Sequence, residues 1–520
     1  MLSDILALSP LPPLLAATVM GVGILAGLVK GEQSERFTGQ LGFWSAVASL
    51  IIIATAIVFY SMGQLEHRID LGTWIKSGTY QIDIGFFFDG LSLTLAGLTA
   101  FFAVSVMRFS NNYMHREVGF HRFFLVLSLF SAAMLLLVTA GNAALCFVGW
   151  ELAGVCSFLL IAYNFDRPNA AENATRAFIT NRIGDAGFVI GITFSYLWAG
   201  DIGWSNITSV DAHLKEWQAG VLASSFLLAA VAKSALFPLS PWLARAMEGP
   251  TPSSAIFYGA VMVHAGVYLV LRLQGLFEQA PLVMGLMAVI GLLTAVYGYF
   301  CGLVQTDVKS ALIFSTTGQI GLMFLAAGLG FWHLALFHLC AHAIFRGYQF
   351  LASPSLMHGV MGVPQRIVHP WLGKNRFLHL AALQRLWLEA LGDRLLVKPV
   401  MALASDLNSF DQQVVDPVFG LPAPMASPTN ILDRGGACGK EGSRLVDPDV
   451  IRVSGFPGYI VSVCANALHW IEEKLVLQGV GLNMIYFGRR LGVRLNDIET
   501  MLNQPRYLIV FILATLLAVF

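Results

Sequence analysis

The sequence predicts an all-α polytopic membrane protein, on three observations. Of its 520 residues, 56% are hydrophobic and only 12% are charged, whereas ordinary soluble domains carry roughly a quarter charged residues. Apolar runs of the ~20 residues needed to cross a hydrocarbon core recur along the chain. These runs lack the alternation of barrel strands, and a backbone in lipid must pair its own N–H and C=O groups, so each run reads as a helix.

Taken in order, the expected spans are 12–30, 43–62, 90–107, 122–140, 142–163, 178–199, 221–246, 252–273, 281–302, 308–329 and 332–353, with one more at the extreme C-terminus, about a dozen in all. Asp4 in place of a basic start, and an apolar run continuing past Gly27, speak against a cleavable signal peptide. Lys30, Arg36, Arg108, Arg116, Arg122, Arg167 and Arg176 fall in alternate loops, which places those loops in the cytoplasm and the N-terminus outside. Between the second and third spans, LGTWIKSGTYQIDIGFFF (71–88) alternates like strand on either side of a Gly and predicts a small hairpin outside the membrane.

Three regions follow: a membrane body 1–353, a cytoplasmic and amphipathic helical segment 354–504, and a C-terminal anchor 505–520. From 377 to 407, Leu380, Leu383, Leu386, Leu391, Leu395, Val400 and Leu403 alternate with charged residues, as in an amphipathic helix lying on a membrane or a partner, interrupted near Pro399. The Pro- and Gly-rich stretch 421–457 reads as a loop, and 459–501 as a second helical stretch. A net charge of zero offers no basic face for nucleic acid, and six scattered cysteines form neither a disulfide framework nor a CxxC zinc pattern.

The chemistry lies in ionisable residues inside the spans. Lys233 sits mid-span with Pro238 five residues later. An ammonium at the bilayer centre costs about 2.5–3.5 kcal/mol on insertion scales, so it requires a cavity, water or a counter-charge. Pro238 has no backbone N–H to donate to the Ser234 carbonyl, and so breaks the helix beside the lysine. A kinked helix with a snorkelling lysine is the alternative.

Glu151 is the lone charge of 142–163, and Lys233 is its natural partner across a helix interface. Such a pair can act as a proton switch, or as a plain structural ion pair. Arg182 and Asp185 lie one turn apart and either neutralise or tune each other. His338, His342 and Arg346 form a polar stripe at four-residue spacing. That stripe fits a proton relay better than a metal site, since no third ligand is evident, although either histidine alone reads equally as a core residue. Lys309 is a positive-inside anchor or, with His264 and Tyr258, an extension of a polar track.

WELAGVCSFLLI (150–161), NRIGDAGFVIG (181–191), AKSALFPLSPWLARAMEGPTPSSA (232–255), QTDVKSALIFSTTGQIG (305–321) and HLCAHAIFRGYQFL (338–351) together resemble the antiporter-like family. That family includes the large distal membrane subunit of complex I and the Mrp antiporters. The resemblance implies translocation of cations, protons or sodium ions, normally protons. It matches Glu151 and Lys233 to the family's charge pair, Asp185 to its acidic partner, Lys309 to its central lysine, and His338 and His342 to its histidines. Arg346 stands where relatives usually have lysine, and Tyr258 where they usually have histidine.

No Gly-Ile-Pro-Pro segment with a second lysine-bearing broken helix follows Phe350, and 385–420 resembles the start of the complex I lateral helix. This shortened, truncated antiporter-like architecture resembles DabB, the membrane subunit of bacterial inorganic carbon transporters. That likeness implies a bacterial inner (plasma) membrane, a DabA-like zinc partner, no cofactor in this chain, and ion flow driving conversion of CO2 to bicarbonate. The alternatives are a proton-pumping subunit of a complex I-like or Mrp-type assembly, and a non-conducting anchor holding a soluble enzyme through 377–504.

Overall fold

The structure, a computed structural model, describes residues 2–78, 80–208, 214–260, 262–359, 370–411 and 415. Residues 1–400 and 401–520 form two compact units, and every element up to residue 397 belongs to the first. The expected loop 421–457, the stretch 459–501 and the final apolar run lie outside the described residues.

Two short helices open the chain, α1 (Leu2–Ala7) and α2 (Leu11–Leu25), followed by the long α3 (Glu35–Ser61). The predicted hairpin is present as β1 (Arg68–Ser77) and β2 (Tyr80–Phe87), antiparallel, with register shifts between Asp70 and Thr73 and between Thr73 and Ile75. It leads into α4 (Gly90–Tyr113), α5 (Phe120–Thr139), α6 (Ala143–Ile161) and α7 (Pro168–Phe194). Caps fix these starts. Asp89 and Ser92 close a reciprocal capping box on α4, and the Asn142 side chain accepts from the Leu145 amide at 2.8 Å on α6. The single bridge Phe86 to Ala140, and the Asn142 side-chain amide donating to the Asp83 carbonyl at 2.8 Å, tie the hairpin to one end of the bundle, the hairpin side.

After α8 (Trp204–Thr208), α9 (Glu216–Lys233) stops at its lysine. The expected break within 221–246 is present, and it is complete rather than a kink. Ala235 takes a φ of +52°, Pro238 lacks an N–H, and helix resumes only as α10 (Pro241–Arg245). The expected span 252–273 is likewise divided, into α11 (Thr251–Ser254) running on as a wide π turn over 255–260, and α12 (Ala265–Arg272). Then come α13 (Gln274–Glu278), α14 (Pro281–Gly302), α15 (Val308–Gly328) and α16 (Trp332–Gly359).

α14 and α15 pack backbone to backbone. A Cβ on Gly298 would lie 2.5 Å from the Gly318 amide, and one on Gly321 would lie 2.6 Å from the Gly291 carbonyl, so only glycine permits this seam. Among the described residues, Glu32–Ser61, Gly90–Tyr113, Phe120–Thr139, Ala143–Ile161, Pro281–Gly302 and Val308–Gly328 are long and apolar enough to cross a membrane on length and composition alone. Of the other long helices, α7 carries Glu172, Arg176, Arg182 and Asp185 and α16 carries His338, His342 and Arg346, while α9 and α12 are halves of broken elements. The chain is a mostly helical, multi-pass membrane protein.

The amphipathic segment is divided as α17 (Pro370–Lys374), α18 (Arg376–Leu383), α19 (Leu388–Gly392) and α20 (Lys398–Phe410). A sharp break lies at Arg385, Leu386 and Trp387, each with φ above +50°, ahead of the interruption that the sequence predicts near Pro399, where the helix only widens. Near Pro399 the helix runs on from α19 into α20, and Asp393–Val397 widens into a π turn just ahead of the proline, which accommodates its missing N–H. Glu389 collects Arg176, Arg245 and Arg385, and Asp393 adds a 3.0 Å bond to Arg176, so this segment is pinned to α7 and α10.

Candidate functional site

Three packed helices supply the first group: Trp150 and Glu151 on α6, Arg182 and Asp185 on α7, and Lys233 at the end of α9. Lys233 is wholly enclosed, with an exposure of 0%. Its ammonium donates to the Trp150 carbonyl at 2.9 Å and lies 4.9 Å from the Trp150 ring centre. Trp150 in turn donates from Nε1 to Asp185 at 2.7 Å. Arg182 serves two acids: Nη1 donates to Glu151 Oε2, while Nη2 stands 2.8 Å from Asp185 Oδ2 as an ion pair without hydrogen-bond geometry.

This arrangement corrects the expected pairing of Glu151 with Lys233. Glu151 belongs to Arg182, and no carboxylate oxygen among the described residues lies within 4.0 Å of the Lys233 ammonium. The reason is reach and shape. A planar guanidinium on the intervening α7 spans two carboxylates at once, while Lys233, at a helix end, meets a backbone carbonyl. Gly154 lies in the gap, since a Cβ there would be 3.3 Å from Arg182 Nη2 and 3.4 Å from Lys233 Nζ. Glu151 Oε1 and Arg182 Nε are buried and make no hydrogen bond among the described residues.

The second group surrounds α16. His342 Nδ1 and His264 Nε2 are 3.1 Å apart, and Arg346 Nε donates to His342 Nε2 at 3.4 Å. Because Arg346 only donates, His342 Nε2 accepts, its Nδ1 carries the hydrogen, and that hydrogen goes to His264 Nε2. The His264 proton then resides on Nδ1, which is buried without a partner among the described residues. From α15, Ser315 receives Arg346 Nη2 at 2.6 Å and Gln319 Oε1 meets His338 Nε2 at 2.8 Å.

Lys309 stands apart. It donates to the carbonyls of Met247 and Gly249 at 3.1 and 3.2 Å, between α10 and α11, while Tyr258 donates to the Leu243 carbonyl at 3.2 Å. Among the described residues no direct hydrogen bond joins Lys233, Lys309 and the histidines. The sequence therefore names the members of the groups but not their order of contact. It also passes over Trp150, Ser315 and Gln319, although all three lie within the quoted motifs. The pair of Asp89 and Arg272, bonded twice at 2.6 and 3.0 Å, is likewise missed because its partners are far apart in the chain.

Comparison with known proteins adds to this geometry. Residues 140–369 match the family described as "NADH:quinone oxidoreductase/Mrp antiporter, TM", and residues 74–124 match "NADH-Ubiquinone oxidoreductase (complex I), chain 5 N-terminus". The chain belongs to the antiporter-like family of complex I and Mrp membrane proteins. All the residues of the two groups fall within the first match.

Among antiporter-like relatives, "NAD(P)H-quinone oxidoreductase subunit 5, chloroplastic" of Nephroselmis olivacea is 36% identical over 388 residues, 72% of this chain and 60% of its own length. "NADH-quinone oxidoreductase subunit L" of Escherichia coli (strain K12) is 37% identical over 338 residues, 64% of this chain and 55% of its own. The chain thus spans between half and three-fifths of the length of these relatives. A chain of the Mrp complex from Dietzia sp. DQ12-45-1b superposes with a TM-score of 0.58 at 26% identity, covering 67% of this chain and 38% of that one. The archaeal membrane-bound sulfane sulfur reductase shows the same fold at a TM-score of 0.57 and 22% identity, covering 67% of this chain and 70% of that one.

Proposed function

We propose that this antiporter-like chain moves cations, normally protons, across a membrane as one subunit of a hetero-oligomeric assembly of the complex I or Mrp kind. The observation that carries this reading is the enclosed Lys233 beside a guanidinium shared by two carboxylates. A lysine this deep is costly to insert, by about 2.5–3.5 kcal/mol, and its direct partners among the described residues are only the carbonyl and the ring of Trp150, with no carboxylate in contact.

Arg182 keeps its charge under all conditions, so it acts as a fixed cation between two carboxylates that can take a proton. Protonation of Glu151 releases the guanidinium toward Asp185, which alters the field at Lys233 through Trp150. A proton leaving Lys233 finds the next acceptors in the histidine group, whose fixed tautomers give the relay a direction. Each proton moved down a potential of 100 mV supplies about 2.3 kcal/mol for coupled work. Lys309, bonded to carbonyls beyond the helix break, is the proposed contact with the opposite face.

The test is reconstitution of the chain with its co-purifying partners in liposomes. NADH- or quinone-dependent proton movement, or sodium-driven proton exchange, is expected; its absence in both formats refutes the reading. Inorganic carbon uptake with a DabA-like zinc partner is a second reading, resting on the sequence after Phe350, where lateral-helix-like residues follow without a second lysine-bearing broken helix. It receives no support from the names of the relatives. Bicarbonate accumulation under an imposed proton gradient, with a zinc protein co-purifying, would establish it in place of the redox reading. A bacterial inner membrane is the proposed location, in keeping with the Escherichia coli relative.

A further inference from the structure

A cavity of about 580 Å3 opens on the hairpin side, lined among others by Asp89, Trp204, Arg272, Glu278, His333 and Leu336. Its wall is closed by the Asp89 and Arg272 pair, in which Arg272 is 8% exposed and bonds both carboxylate oxygens. Arg272 also donates to Tyr268 at 3.4 Å, and Tyr268 donates to the Val138 carbonyl at 3.0 Å. Phe87 packs its ring 5.1 Å from the guanidinium carbon. The pair is thus anchored on α12 and α5, and its acid belongs to the segment joining the hairpin to α4.

Two helices run from this cavity to the buried histidines. α12 begins behind His264 and ends at Arg272, about 12 Å at 1.5 Å per residue. α16 has His333 on the cavity and His342 nine residues on, about 13.5 Å by the same rise. His264 and His342 meet at the far ends of these helices. With Arg272 and Asp89 neutralising each other, Glu278 leaves the cavity with an uncompensated negative charge, which favours cations over anions.

From this geometry we infer that the cavity is the hairpin-side mouth of the proton path, and that the pair of Asp89 and Arg272 is the latch between it and the histidine group. The latch opens when Asp89 gives up Arg272, which lets water reach past Leu336 toward His338. This inference rests on the proton-translocation reading of the preceding subsection.

The test uses the whole reconstituted assembly. Leu339→Cys, at a fully buried position one turn deeper on α16 than the cavity-lining Leu336, is introduced together with replacement of the native cysteines, and a membrane-impermeant maleimide is applied from one side at a time. Asp89→Asn opens the latch while keeping an equally good helix cap, so α4 stays formed. Arg272→Lys keeps the charge but loses the two-point bond.

Labelling from the hairpin side only is expected, at least tenfold faster in Asp89→Asn and of intermediate rate in Arg272→Lys. Equal rates in all three backgrounds, or labelling only from the opposite side, would overturn the mouth and its latch. Proton movement by the unmodified assembly is measured in parallel. If it is absent, the functional reading fails and the mouth falls with it; if it is present and labelling ignores the latch, only the mouth fails.

Discussion

Lys233 donates to the carbonyl of Trp150, and the indole of Trp150 donates to Asp185, so one residue of α6 stands between the buried ammonium and a carboxylate of α7. The lysine is therefore coupled to the acids through a polarised bridge and not through direct contact.

Lys233→Met is expected to reduce proton movement by an order of magnitude or more while the assembly still purifies intact. Methionine fills a similar volume without a charge, and replacing a buried charge by a well-packed apolar side chain is often neutral for stability. Dye-quench measurements in proteoliposomes, paired with size-exclusion of the same preparation, check both halves. Full retained transport would support a non-conducting anchor.

Gly154→Ala separates transport from stability. The added methyl would stand 3.3 Å from Arg182 Nη2 and 3.4 Å from Lys233 Nζ, tight enough to displace the flexible side chains without moving backbone. Alanine also favours helix over glycine by about 1 kcal/mol. The expected outcome is a melting temperature equal to or slightly above that of the parent, with several-fold slower proton movement. A variant that both melts as the parent and transports as the parent would show that the gap between the two cations has no role.

The membrane class, the hairpin and the membership of the polar groups are legible from composition, period and motif, because each is a local property. Their pairing is not. Glu151 and Lys233 read as partners only because both are lone charges, and nothing in a linear sequence shows that the Arg182 guanidinium reaches Glu151 first. The break at Arg385 to Trp387 is hidden for a similar reason: Pro399 is the visible breaker, yet the chain answers it only with a π turn over Asp393–Val397 inside a continuous helix. Asp89 and Arg272 are separated by most of the bundle, so their bond is a consequence of packing alone.

Arg346→Gln is expected to randomise the histidine tautomers. The guanidinium is the donor that makes His342 Nε2 an acceptor, and glutamine is too short to hold both that nitrogen and Ser315. Nitrogen-15 spectra of labelled histidine should show one tautomer at His342 in the parent and a mixture in the variant, with slower transport. Arg346→Lys keeps a donor and a charge, and should preserve the tautomer if it reaches His342. An unchanged tautomer in Arg346→Gln would mean that His264, not Arg346, sets the proton position.

The latch pair also carries a pH signature. Burial raises the Asp89 carboxyl, but the bonds and charge of Arg272, with the Ser92 amide, more than offset this and hold it below its ordinary value of 3.8. A carboxyl depressed in the folded state contributes stability that is fully present above its unfolded value, about 3.9, and is lost as pH falls through the folded value. Asp89→Asn should therefore melt below the parent at pH 6, and the gap should close as the pH drops below about 4. Comparing the two chains at each pH cancels the other carboxylates, which titrate alike in both. A gap that stays constant from pH 6 to the acid limit would mean that the charge of Asp89 on Arg272 does not carry its contribution to stability.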